Sequence, residues 1–212
     1  MTTGLTLAVF ILVLLCTWFM GFWNNVITFV NTVFAACIAS NYFEPVANLL
    51  DGGSSTYTYM LDFVALWLLF FLSMVVLRTI TDLLSKYRMN VDKWLELTGR
   101  SVFSLAIAWV FICFMHFTFH TAPFPPGPGN FQERPDSVNF AGAPDRLWLG
   151  FLQSRSMGAL SAGLPVDYDT TRLHPSDREL GVMVFDSKGD FIYKYHERRV
   201  KLSEQEGLRV QR

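Results

Sequence analysis

Apolar residues dominate the first 122 positions, in long runs separated by short polar breaks. Leu5 to Trp23 is nineteen residues without a charge, which at about 1.5 Å per residue approaches the roughly 30 Å hydrocarbon core of a bilayer. It predicts a spanning helix. A turn at Gly21 to Asn25 leads into a second segment, Asn25 to Leu50, and the residue before a proline is pushed out of helical backbone, so Glu44 and Pro45 predict its end. Asp51, Gly52, Gly53, Ser54 and Ser55 read as a polar turn. Leu61 to Leu77 supplies a third run broken only by Asp62 and Ser73, and Ile80, Leu83, Leu84 and Tyr87 prolong it as an amphipathic extension. Ser101 to Phe119 is the fourth run, closed by Pro123.

The remainder changes character. Pro123, Pro125, Pro126, Gly127, Pro128 and Gly129 predict an extended, hydrated linker. Arg146 to Leu160 has the mixture of large apolar and basic residues expected of a short interfacial helix. Val182 to Phe185 and Phe191 to Tyr195 are rich in β-forming residues, and the intervening Asp186-Ser187-Lys188-Gly189-Asp190 suits a hairpin turn with Gly189 left-handed. The expected fold class is therefore an all-α membrane protein, with four transmembrane helices over residues 1–122 and a Pro/Gly-rich linker over 123–145. A small polar C-terminal region over 146–212 would hold a short helix and a β-hairpin. Because an isolated hairpin is marginal in water, the tail is expected to lean on the membrane part or on a partner.

Charge sharpens this division. Only 11 charged residues fall in the first 122 positions, none before Glu44, against 24 in the last 90. A net charge of −1 without a basic patch excludes a nucleic-acid binder. Arg78, Lys86, Arg88, Lys93 and Arg100 bracket the connection between the third and fourth runs, whereas the second and third are joined without Lys or Arg. Positive residues favour the cytoplasmic side, so that connection is expected in the cytoplasm and the tail in the periplasm. Cys16, Cys37 and Cys113 all sit in apolar runs, which leaves no disulfide framework and no four-cysteine zinc site.

Candidate chemistry is sparse. Walker A, G-x-S-x-G, H-E-x-x-H and Rossmann glycine patterns are absent, so neither catalytic residues nor a cofactor is expected. Thr28, Thr32, Ala36 and Ser40 recur every four residues and form one small, weakly polar stripe suited to close helix packing. Asn24 extends it toward the turn. Asp62 lies about one turn inside the third run, where a carboxylate is costly unless it faces protein or water. It reads either as an interfacial charge favoured by the helix dipole or as a cation or proton site shared with the Asn24, Thr28 and Thr32 stripe. His116 and His120, four apart, share a helix face and supply at most half of a metal site. Arg78 and Arg100 are placed to anchor in headgroups.

Two passages carry a family resemblance. Gly21-Phe22-Trp23-Asn24-Asn25 running into Val26-Ile27-Thr28-Phe29 is similar to the glycine-hydrophobic turn after the first helix of the colicin V production family. Val91-Asp92-Lys93-Trp94-Leu95 followed by Gly99-Arg100 resembles the acidic-basic-apolar lead-in to its fourth helix, with Glu96 where a glycine is usual. The resemblance covers roughly residues 5–120. It implies a bacterial inner-membrane protein with a role in production or export of a secreted peptide toxin and in envelope maintenance, with no catalytic residues. A non-enzymatic accessory or assembly factor is thus expected, its partners being the bilayer and a second copy or another membrane protein. Two alternatives stay open: a small channel or transporter whose path is lined by Asp62, Asn24 and Thr28, and a membrane-anchored sensor acting through its tail.

Overall fold

The structure is a computed structural model that describes residues 2–51, 58–85, 92–123, 140, 142–156, 185–186 and 189–204. Among the described residues there are six helices and no strand. In chain order these are α1 (Thr2–Trp18), α2 (Phe22–Leu50), α3 (Thr58–Leu84), α4 (Lys93–Thr121), α5 (Pro144–Ser156) and α6 (Phe191–Glu204).

Three of them, Phe22–Leu50, Met60–Leu84 and Lys93–Thr121, are long and apolar enough to cross a membrane, with mean hydropathies of 1.5, 2.5 and 2.1. The expectation of four such helices is corrected here. The first apolar run does not continue to Trp23: α1 ends after 17 residues, the chain turns through Phe19, Met20 and Gly21, and Phe22 already belongs to α2. Gly21 makes this turn with φ of 85°, a left-handed backbone that side chains resist. Uncharged sequence alone does not distinguish one rod from a rod plus a turn.

The second correction concerns Pro45. It lies inside α2, which continues to Leu50. Proline removes one ladder donor, but Phe43 and Ala47 on either side are both buried in the core and hold the flanking turns in register.

The third concerns the hairpin. Residues 182–184 lie outside the described residues, Phe185 and Asp186 form a turn, and Phe191 to Tyr195 is the opening of a helix. Asp186 decides this locally, because its Oδ1 accepts the backbone N–H groups of Asp190 and Phe191 at 2.8 and 3.1 Å. Those are donors that a nascent helix leaves unpaired. Phe191, Ile192 and Tyr195 then fall on one helical face and are buried, with Phe191 stacked on Phe117 of α4 at 4.9 Å. Tertiary packing overrides their β-propensity.

The core is built where α2, α3 and α4 meet. Ala35, Ala36 and Ala39 of α2 let the backbones approach Ala65 and Leu66 of α3 and Phe114 of α4, while Phe70 stacks on Phe114 at 4.7 Å. α1 packs on α4, and α5 and α6 extend the same core through Trp148, Leu152, Phe191 and Tyr195. Outside, Leu68, Phe71, Leu72 and Val75 of α3 are exposed, as are Ile11, Leu12 and Leu15 of α1. An apolar exterior of that extent suits lipid rather than water. This is a membrane protein.

Candidate functional site at the two ends of the bundle

The short turn between α1 and α2 is met by the start of α4. The Phe22 backbone N–H, unpaired at the head of α2, donates to Glu96 Oε1 at 2.9 Å. One turn on, Gly99 gives the Phe22 ring its place: a Cβ at Gly99 would lie 2.3 Å from Phe22 Cδ2. Asn25, fully buried, donates through Nδ2 to Ser104 Oγ at 2.8 Å. The Arg100 guanidinium lies 4.9 Å from the Trp18 ring centroid, a cation over an aromatic face. Both passages that carry the family resemblance thus touch each other in space.

Along α2 the polar stripe turns to α3. Arg78 donates from Nη1 to Thr28 Oγ1 at 3.1 Å, from Nη2 to Asn24 Oδ1 at 3.3 Å and from Nε to Asp82 Oδ2 at 3.0 Å. Thr28 and Thr32 return their hydroxyls to the carbonyls of Asn24 and Thr28, at 2.8 and 2.7 Å. Thr32 and Ala36 are buried against the chain's own helices. Ser40, further along, accepts the Trp148 indole N–H of α5 at 3.1 Å.

At the other end of α3, Asp62 is buried and receives two donors from α6: the Tyr195 hydroxyl at 3.1 Å and Arg198 Nη1 in a close ion pair. Burial, with the Asp62 carboxylate beside it, pushes the Tyr195 phenol well above its ordinary range, so it stays a neutral donor. One residue earlier, Lys194 Nζ meets Glu44 Oε1 of α2 at 2.7 Å, both about half exposed. An open cleft of about 190 Å³ is lined by Glu44, Asn48, Asp51 and Asp62 together with Lys194 and Arg198. Sixteen residues separate Asp62 from Arg78 on α3, about 24 Å of helix. Asp62 and the Asn24–Thr28 pair therefore belong to opposite ends, each with its own partners.

His116 and His120 also part company. His116 donates from Nδ1 to the Ile112 carbonyl at 3.0 Å, since a carbonyl can only accept, and its Nε2 accepts the Thr6 hydroxyl of α1 at 3.3 Å. His120 Nε2 instead donates to Asp145 Oδ2 of α5 at 2.9 Å, with both side chains buried. Burial alone would raise the Asp145 carboxyl; the hydrogen bond and charge of His120 outweigh it and hold the group below its ordinary value. The His120 backbone carbonyl accepts Arg199 Nη2 of α6 at 2.7 Å. Among the described residues no group of three or more His, Cys, Asp or Glu is placed to hold a metal ion.

These polar groups chiefly fasten one helix to another. Tyr195, Lys194 and Asp145 are participants that sequence reasoning did not single out; the basic run at Arg198, Arg199 and Lys201, offset by Glu197, Glu204 and Glu206, suits a solvated face by sequence, whereas Arg199 is buried and Arg198 pairs with Asp62. For α6 a signal was present in the helical spacing of 194, 195, 198 and 199, but it was hidden by the β-forming character of the same stretch. Residues 3–141 match the family model described as Colicin V production protein. No curated protein and no solved structure matches the chain.

Proposed function

The chain belongs to the colicin V production protein family, and from that premise we propose that it is a non-enzymatic accessory or assembly factor of the bacterial inner membrane. It would serve export of a secreted peptide toxin and maintenance of the envelope. The family match over residues 3–141 carries this reading. The site geometry agrees with it, because the buried polar side chains described above are spent on joining helices rather than gathered around a reacting position. An acid–base or nucleophilic site instead needs its groups convergent on one bound atom.

In this reading the basic connection between α3 and α4 faces the cytoplasm, and the end where α6 sits faces the periplasm. A second copy or another membrane protein is the expected partner. Its contact would lie on the apolar exterior, since Thr32 and Ala36 are already covered within one chain. The channel alternative draws no support from the geometry. Asp62 is occupied by Tyr195 and Arg198, Asn24 and Thr28 are occupied by Arg78, and the two sets lie at opposite ends of α3.

The test is deletion of the gene in a strain that secretes a peptide toxin, with plasmid complementation. The expected result is less toxin in the medium at unchanged intracellular synthesis, together with greater detergent sensitivity of the cells. Normal secretion and a normal envelope in the deletion strain would overturn the reading.

A further inference from the structure

The contacts of α6 are dominated by charge. Lys194, Tyr195, Arg198 and Arg199 occupy positions i, i+1, i+4 and i+5, hence one face of the helix. That face meets the ends of α2 and α3, where Glu44, Asp51 and Asp62 are acidic and Asn41 to Asp62 contains no Lys or Arg at all. Lys194 pairs with Glu44, Arg198 and Tyr195 hold Asp62, and Arg199 reaches the last turn of α4 at the His120 carbonyl. Among the described side chains of the helix, the buried apolar ones are Phe191, Ile192 and Tyr195, in its first turns. Both pairs line the open cleft of about 190 Å³ and so border accessible space.

We propose that α6 is a releasable cap on this end of the membrane bundle, held by the Lys194–Glu44 and Arg198–Asp62 pairs, and that ions competing for those pairs lift it and uncover an acidic rim at Glu44, Asp51 and Asp62. Three physical considerations support release. Half-exposed pairs such as Lys194–Glu44 weaken as ionic strength rises, because the screening length falls from about 10 Å at 0.1 M to about 3 Å at 1 M. Asp62 stands in the first turns of α3, near the end of its span, so water can take over its solvation once α6 leaves. Most of the core where α2, α3 and α4 meet lies on those helices themselves, at Ala35, Ala36, Ala39, Leu66 and Phe114, and α6 joins it in its first turns through Phe191, Ile192 and Tyr195. This inference holds whether or not the chain serves toxin export.

Hydrogen exchange on the full chain in lipid nanodiscs reads the cap directly, through amides 191–204. Raising salt from 0.05 to 1 M is expected to reduce their protection about tenfold, the scale of losing two modest ion pairs, while α4 amides stay unchanged. Lys194→Glu should show the same loss already at low salt, and adding Glu44→Lys to it should restore protection. Asp62→Asn should likewise expose 191–204 at low salt. If protection of 191–204 is indifferent to salt and to Lys194→Glu, α6 is a fixed element held by Phe191 and Tyr195, and the proposal is wrong. Equal losses in α4 would mean general unfolding and would also overturn it. The exposed Lys194 variant keeps the test decisive should Asp62→Asn fail to fold.

Discussion

Asp62 and Asp145 are the buried carboxylates among the described residues, and each is met by a donor from another helix. A charge taken out of water is tolerated only when paired and hydrogen-bonded, so each carboxylate commits a second helix to a defined position. For Asp145 the consequence is a signed pH dependence. Its folded value lies below the ordinary one, so its stabilising contribution is complete above the unfolded value of about 3.9 and is lost as pH falls through the folded value. Asp145→Asn should cost about 1–3 kcal/mol near neutrality. The difference in unfolding free energy between the native chain and this variant is expected to shrink as pH falls below about 4. Denaturant unfolding in detergent across that range checks it; a difference that grows on acidification contradicts the assigned pairing.

Among the elements, α2 and α4 meet closely at Gly99. Of the described glycines, Gly99 is the one where the Phe22 ring leaves no room for a methyl group, and the backbone of Phe22 is held by the bond from its N–H to Glu96. Gly99→Ala would gain about 1 kcal/mol of helix propensity yet lose about 1–3 kcal/mol to overpacking. With contact as close as 2.3 Å the second effect wins. A lower melting temperature is expected for Gly99→Ala, with recovery when Phe22→Ala is added; stabilisation by Gly99→Ala alone would show that the ring yields freely. Of these elements, α2, α3 and α4 were readable from apolar runs, since a lipid-buried helix reports itself residue by residue. Their ends were not. Pro45 was read as a stop because local backbone preference says so, and the packing of Phe43 and Ala47 that carries α2 past it is invisible in one dimension. Phe191 to Tyr195 went the other way for the same reason: aromatic and branched residues suit strand or helix, and Phe117 selects the helix.

For the whole molecule, the proposed orientation rests on where the basic residues gather. An impermeant thiol reagent should label Lys201→Cys in α6 of cells with a permeabilised outer membrane, and should reach Lys86→Cys only after the inner membrane is opened. The reverse pattern would place the tail in the cytoplasm. This molecule-scale asymmetry also separates the two polar clusters. One locks the turn after α1 to the start of α4 and contains residues of the two passages that carry the resemblance; the other joins α6 to the far end of α2 and α3.

Membrane residence, the long apolar helices α2, α3 and α4 and the polar composition of the tail were decided locally, because transfer into lipid depends on each residue's own composition and its near neighbours. Which helix answers which polar side chain was settled only by folding. Asp62 finds Tyr195 133 positions away, Glu44 finds Lys194 at 150, and Ser40 finds Trp148 at 108. Such pairings depend on where the chain reverses and on which faces the core has already claimed, and neither quantity exists until the helices are packed.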